Sequence, residues 1–195
     1  MASDAPPRRR NATATREAIL KSARAAFARS GYDGTGVREI AQGAGVTAMM
    51  INRYFGSKEQ LFAEVVADTM ADPVILTREN LGSEDLAASM ARALVDLTAP
   101  DAEPLDGFQI MFHSAASRHA AEISRDQIEQ RHQRAMTQAL SGGLAPERAA
   151  LALSLVAGVQ VMRQMIGLKA LTEADPEALE ALLTPLFRAL IEGEG

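Results

Sequence analysis

The stretch GVTAMMINRYFGSKEQLF, Gly45 to Phe62, sets Met49 and Met50 just ahead of Asn52, Arg53 and Tyr54, then turns at Gly56. Soft apolar groups and hydrogen-bonding groups emerge together from one short helix. A helix buried in a core sorts such side chains onto opposite faces. A helix that grips its own protein on one side and a polar partner on the other need not. The charge pattern indicates the kind of partner. The 195-residue chain carries a net charge of -5, but that charge is unevenly spread. Residues 1–60 hold 10 Lys and Arg against 5 Asp and Glu, whereas residues 61–195 hold 10 against 20. A basic head on an acidic body suits a polyanion. Arg8, Arg9 and Arg10 supply much of the excess.

Other chemistries find no residues to carry them. The chain has no cysteine, so disulfides and thiolate-bound zinc are excluded. His113, His119 and His132 form no convincing metal cluster; His132 with Glu129 is read as a surface contact, and no metal site is assigned. No nucleophile elbow, P-loop, HExxH or paired Glu-x-x-His motif occurs. No catalytic residue and no cofactor are therefore expected, and the chain does not read as an enzyme. No apolar run reaches a membrane-spanning length, and MASDAPPRRRNATATRE lacks the apolar centre of a signal peptide. A cytoplasmic protein with no membrane partner is the expectation.

The elements that must position these residues read as helices throughout. The chain is 47% hydrophobic but only 4% aromatic, without Trp, so its core is mostly Ala, Leu, Val, Ile and Met. Ala, Leu and Met lose little freedom in a helix. No strand alternation or internal repeat is visible. Residues 1–14 hold Pro6, Pro7 and the arginine run, and are expected to form a flexible basic arm. A first helix is predicted from Thr15, with Ile19, Ala23, Ala26 and Phe27 on one face and Gly31 as its stop. A second runs from about Val37 to Gln42. The GAG turn, Gly43 to Gly45, follows it, and Thr47 is placed to cap a short third helix over Ala48–Tyr54. Val46 and Ile51 have the spacing of a hydrophobic staple, and Ser57 with Gln60 makes a capping box for a fourth helix. Cap, staple and turn agree on one register, that of a helix–turn–helix. Further helices are expected from Lys58 to about Ala71, Ser83 to Thr98, Leu105 to Ser117, Ala121 to Leu140, Pro146 to Leu168, and Asp175 to Ile191. Pro185 is expected to kink or split the last.

The stretch REIAQGAGVTAMMINRYFGSKEQLF, Arg38 to Phe62, resembles the DNA-binding signature of the TetR family of bacterial transcriptional regulators. The matching residues are Ile40, Ala41, Ala44, Gly45, Val46, Thr47, Tyr54, Phe55, Ser57, Lys58, Glu59, Leu61 and Phe62. Phe27, Gly31 and Tyr32 upstream resemble the end of the family's first helix. The resemblance implies an all-α fold. A three-helix DNA-binding domain with its helix–turn–helix would occupy residues 15–60, and a helical bundle for ligand binding and dimerisation residues 61–195. It implies a homodimer on a palindromic double-stranded DNA operator, released as a repressor by a small-molecule effector. An activator of the same fold, or a helical sensor acting through a protein partner, are the alternatives.

By match to the family motif, Thr47, Tyr54 and Lys58 contact phosphates, which position a protein without specifying sequence. Arg38 adds a further phosphate candidate. Ala48, Met49, Asn52 and Arg53 are candidates for reading or flanking bases. Met50 is either a DNA contact or packed on the domain. Asn52 replaces the aromatic or histidine common in the family, and its amide can pair with an adenine edge. Met49 and Met50 offer apolar contact, as to thymine methyls. Phe108, Met111, Phe112, His113, Met136, Met162 and Met165 are candidates to line an effector pocket. The family's last two helices form its usual dimer interface, which points here to Leu151, Leu155, Gly158, Met162, Leu179, Leu182, Leu183 and Leu186.

Overall fold

The structure is a computed structural model that describes residues 7–71, 73–102 and 105–193. Among the described residues every regular element is helical. The chain divides into two compact units, residues 1–70 with 106–125, and residues 71–105 with 126–195. The predicted division at residue 60 therefore falls inside a helix that belongs whole to the first unit. The expected basic arm lies in part outside the described residues, as do the side chains of Arg8, Arg9 and Arg10.

In the first unit, helix α1 (Pro7–Gly34) is the longest element. It starts eight residues before the predicted Thr15, since proline suits a first helical turn, where its missing N–H would have no partner. Helices α2 (Val37–Gly43), α3 (Ala48–Phe55) and α4 (Lys58–Thr69) follow. Helix α7 (Asp106–Ser114) packs along α1, and α8 begins at Arg118. Ile19, Phe27, Ile40, Ile51, Leu61 and Phe62 are fully buried. The Phe62 ring meets Phe27 and Tyr32 edge-on, both at 5.1 Å, which binds α4 to α1. Gly31 bends α1 with a φ of 65°, and a Cβ there would stand 2.3 Å from the carbonyl oxygen of His113. Only glycine satisfies both conditions. Three further bonds fix α7 to α1. Arg24 Nε donates to Asp106 Oδ2 at 2.7 Å, the Tyr32 N–H to Ser114 Oγ at 2.9 Å, and His113 Nδ1–H to Ala28 O at 2.6 Å.

The second unit contains α5 (Arg78–Leu81), α6 (Leu86–Leu97), α9 (Arg134–Ala139), α10 (Ala145–Gln160), α11 (Lys169–Thr172) and α12 (Pro176–Glu192). Helix α12 packs on α6 around Met90, Leu94, Met136, Ala149, Leu179, Leu183 and Phe187. The predicted helix over 121–140 is present as α8 (Arg118–Ile128), a π-helical turn (Glu129–Gln133) and α9. The one predicted to reach Leu168 ends as α10, passes through a second π turn (Val161–Met165), and stops at Gly167 with a φ of 69°. Pro185 does not split α12, although Ala181 loses its helical donor there.

Two buried arginines take the place of apolar packing at helix ends. Arg163 donates to Val95 O and Thr98 Oγ1, both at 2.9 Å, and to Leu171 O at 3.1 Å. These acceptors lie at the C-terminal ends of α6 and α11, where helix dipoles favour a cation. Arg148 donates to Gly143 O, Leu190 O and Ile191 O, tying the loop before α10 to the end of α12.

Burial, aided by the charge of Arg131, lowers the pKa of His132 below its ordinary 6.5. The folded chain thus favours the neutral ring. As pH falls below about 6.5 the unfolded chain binds a proton before the folded one, so stability drops until the folded ring also protonates. Urea midpoints measured between pH 7.5 and pH 5, at about half-unit steps, should fall more steeply for the wild type than for His132→Gln. Parallel curves would refute the assignment.

Candidate nucleic-acid interface

The turn between α2 and α3 is set by local backbone chemistry. The N–H groups of Ala44 and Val46 donate to Ile40 O at 3.0 Å and Ala41 O at 2.9 Å, closing α2 tightly. Gly45 then adopts a φ of 67°. A side chain is strained in that conformation, so the sequence spends a glycine there. At Gly43 the constraint is space, because a Cβ would lie 2.4 Å from Ser22 Oγ. That hydroxyl donates to Ile40 O at 2.8 Å and holds α2 against α1.

Helix α3 has two distinct faces. Ile51 and Phe55, four apart, are buried. Met49, Asn52 and Arg53 share the opposite face at helical spacing and are exposed, Met49 by 80%. Ala48, Met50 and Tyr54 are half-buried along the border. The mixture of soft and polar groups is thus the outer face and rim of a helix held from behind. Its outer face carries a cation and no acid. Arg38, at the second position of α2, is also exposed.

The two caps differ in a way that bears on chemistry. Ser57 accepts a hydrogen bond from the Gln60 N–H at 3.1 Å, as its capping box requires. Thr47 holds an extended N-cap conformation, but its side chain makes no capping bond. That hydroxyl is left for another partner, while the Met50 N–H donates to the Thr47 carbonyl at 2.9 Å. Gly56, with a φ of 78°, ends α3 and lets the chain re-enter helix at Lys58.

Around this helix run charged braces within the first unit. The Arg16 guanidinium lies 4.9 Å over the Phe55 ring and pairs with Glu64, which links α1, α3 and α4. Arg29 pairs with Glu39 on α2. Lys58 sits with Nζ 4.3 Å over the ring of Tyr32. Burial lowers its pKa, with Asp33 opposing the shift. Sequence reasoning gave Tyr32 no role beside Lys58. The one available signal was an aromatic placed directly after the glycine that bends α1.

The predicted pocket residues fall in both units. Phe108, Met111, Phe112 and His113 lie on α7 in the first unit, while Met136, Met162 and Met165 belong to the second. Phe108 and Phe112 stack with centroids 6.3 Å apart. Met136 is fully buried in the core of its unit, and His113 has committed Nδ1 to α1. Of the predicted interface residues, Leu179 and Leu183 point inward, sealed in the chain's own core. Leu155 packs at the edge of that core. Leu151, Gly158, Met162, Leu182 and Leu186 are exposed.

A two-faced third helix behind a glycine turn defines a helix–turn–helix DNA-binding protein. The model described as "Bacterial regulatory proteins, tetR family" matches residues 19–65, and "Tetracyclin repressor-like, C-terminal domain" matches residues 84–191. The chain belongs to the TetR family of transcriptional regulators, and it is a transcription factor rather than an enzyme. It is similar to the HTH-type transcriptional repressor KstR2 of Mycobacterium tuberculosis, at 31% identity over 54% of this chain and 46% of the relative. The match thus spans about half the length of that curated relative. Salmonella enterica GusR has the same fold, with a TM-score of 0.72 at 17% identity over 91% of this chain and 95% of that one. So does AibR, solved in complex with isovaleryl coenzyme A and operator DNA, with a TM-score of 0.61 at 18% identity over 88% and 97%.

The unequal caps give a direct test. Ser57→Ala should cost about 1 kcal/mol of stability, as loss of a working N-cap does. Thr47→Ala should cost less than about half of that, since no capping bond is lost. Denaturant titration of the two variants checks this, and equal losses would show that Thr47 caps its helix in solution.

Proposed function

We propose that this chain is a ligand-responsive repressor that binds a palindromic operator as a homodimer and is released by a small-molecule effector. The observation that carries the reading is the split of α3 into a buried Ile51–Phe55 face and an exposed Met49–Asn52–Arg53 face. From Met49 to Arg53 the exposed face runs about 6 Å along the helix axis, and a major groove is wide enough to admit such a helix. In this reading Asn52 and Arg53 read base edges, with Met49 against thymine methyls. Thr47, Tyr54 and Lys58 hold phosphates, helped by Arg38. Ala48 and Met50 flank these contacts.

Dimerisation is assigned to the outward residues of α10 and α12. Leu182 is 67% exposed and Leu186 52%, one turn apart, and both are out of reach of the core that holds Leu179 and Leu183. Gly158 has nothing within 4 Å of where a Cβ would be, which leaves room for a close helix approach. The repressor sense is supported by the name of KstR2, and an effector by the ligand in the AibR structure. Among the described residues no helix is long and apolar enough to cross a membrane, and the protein is read as cytoplasmic.

The test is selection of bound fragments from random duplex DNA, followed by footprinting. A two-fold symmetric site with affinity that falls steeply with salt is expected. Replacing Tyr54 and Lys58 together, by Phe and Met, should weaken binding and flatten the salt dependence by about 0.9, the share of the one lost cation. Unchanged binding would sink the docking arrangement. For the dimer, Leu182→Glu with Leu186→Glu should give a folded monomer by analytical ultracentrifugation. A dimer that survives both changes places the interface elsewhere.

A further inference from the structure

We propose that Tyr32 is a positioning residue for Lys58, its ring the seat that aims the ammonium at a DNA phosphate. The inference rests on the reading of Lys58 as a phosphate contact. Lysine is a flexible point charge on four rotatable bonds, and at the first position of α4 the helix dipole repels it. Left to itself it would sample many directions. In the structure Nζ instead stands 4.3 Å from the centroid of the Tyr32 ring. The negative face of the ring attracts the cation without neutralising it, so the charge stays available to a phosphate.

The ring is a rigid seat. It stacks on Phe27 at 6.2 Å and meets Phe62 edge-on at 5.1 Å, and both of those rings are fully buried. The Tyr32 N–H is held by Ser114 Oγ at 2.9 Å. The residues next to the pair are held as well. Ser117 Oγ donates to Asp33 Oδ1 at 3.2 Å, and His119 Nε2 lies 3.8 Å from Glu59 Oε1. The His119 ring is tilted toward Tyr32 at 6.2 Å. The segment at the start of α8 therefore touches the chain neighbours of both Tyr32 and Lys58. A seat fixed on so many sides lowers the freedom that Lys58 loses on binding.

The experiment compares wild type, Lys58→Met, Tyr32→Leu, Tyr32→Phe and the Lys58→Met/Tyr32→Leu double variant. The probe is a duplex of about 30 base pairs recovered by selection, titrated from about 50 to 200 mM salt. Tyr32→Leu should weaken binding about two- to fivefold and flatten the salt slope. The double variant should bind no more weakly than Lys58→Met alone, and Tyr32→Phe should keep the wild-type slope. A loss for Tyr32→Leu at unchanged slope, adding in full to that of Lys58→Met, would mark a merely structural ring and overturn the proposal. A wild-type slope for Lys58→Met overturns both this inference and the reading beneath it. One measurement needs no variant to fold. The ε-methylene resonances of Lys58 in the free wild-type protein should be displaced upfield by the ring current, and ordinary shifts would also overturn the proposal.

Discussion

An eight-residue helix has no stability of its own in water, because the cost of its first turn is never recovered over so short a length. Everything in the first unit follows from the need to hold α3 from one side only. Ile51 and Phe55 supply the inner face, and Arg16 covers the Phe55 ring while pairing with Glu64. Behind them, the Phe27, Tyr32 and Phe62 rings make a stiff layer in which each ring has a partner at 5.1 Å. Aromatic edges and faces lock by geometry as well as by area, which suits a scaffold that must not yield when its outer face is pulled.

The parts of this head that rest on local chemistry are legible in the sequence. Gly45 and Gly56 stand where φ is positive, Gly31 where both φ and space demand it, and Ser57 where a cap is needed. Thr47 shows the limit of that reasoning. Its residue type and spacing fit a cap, but whether a hydroxyl turns toward its own helix depends on rotamer and surroundings. Membership of the unit was not legible either. Residues 106–125 lie far from α1 in the chain, and they join it through Asp106, His113 and Ser114, a pairing that no periodicity reveals. The short helices α5 and α11 span four residues each, too few for a repeating apolar pattern to be recognised.

In the second unit the sequence gives direction poorly for a different reason. Helix α12 bears two apolar stripes. Leu179, Leu183 and Phe187 make one at a spacing of four, and Leu182 and Leu186 make another, about one residue's turn away. A helix buried on two sides and a helix buried on one read alike, because the pattern records that a stripe is apolar and not what covers it. The structure decides which stripe belongs to the chain's own core. Phe187 is fully buried and Leu183 nearly so, while the second stripe is exposed.

That exposed stripe carries an energetic argument for a partner. A leucine moved from water into a packed interface contributes about 1.5–3 kcal/mol, and scattered single leucines on a surface need no explanation. Here Leu182 and Leu186 are joined by Leu151 on the neighbouring helix α10 and by Met162 in the π turn that follows it, with Gly158 open to space between Leu151 and Met162 in sequence. Selection for solubility alone would place charges at such positions, as it does at Glu177, Glu180, Arg188 and Glu192 on the same helix. Arg92 and Asp85 on the α6 side pair with two of those, Glu180 and Arg188. The charges of α12 are thus partly engaged within its own unit, and its uncovered apolar groups are the ones left for the second copy that the proposed homodimer would bring.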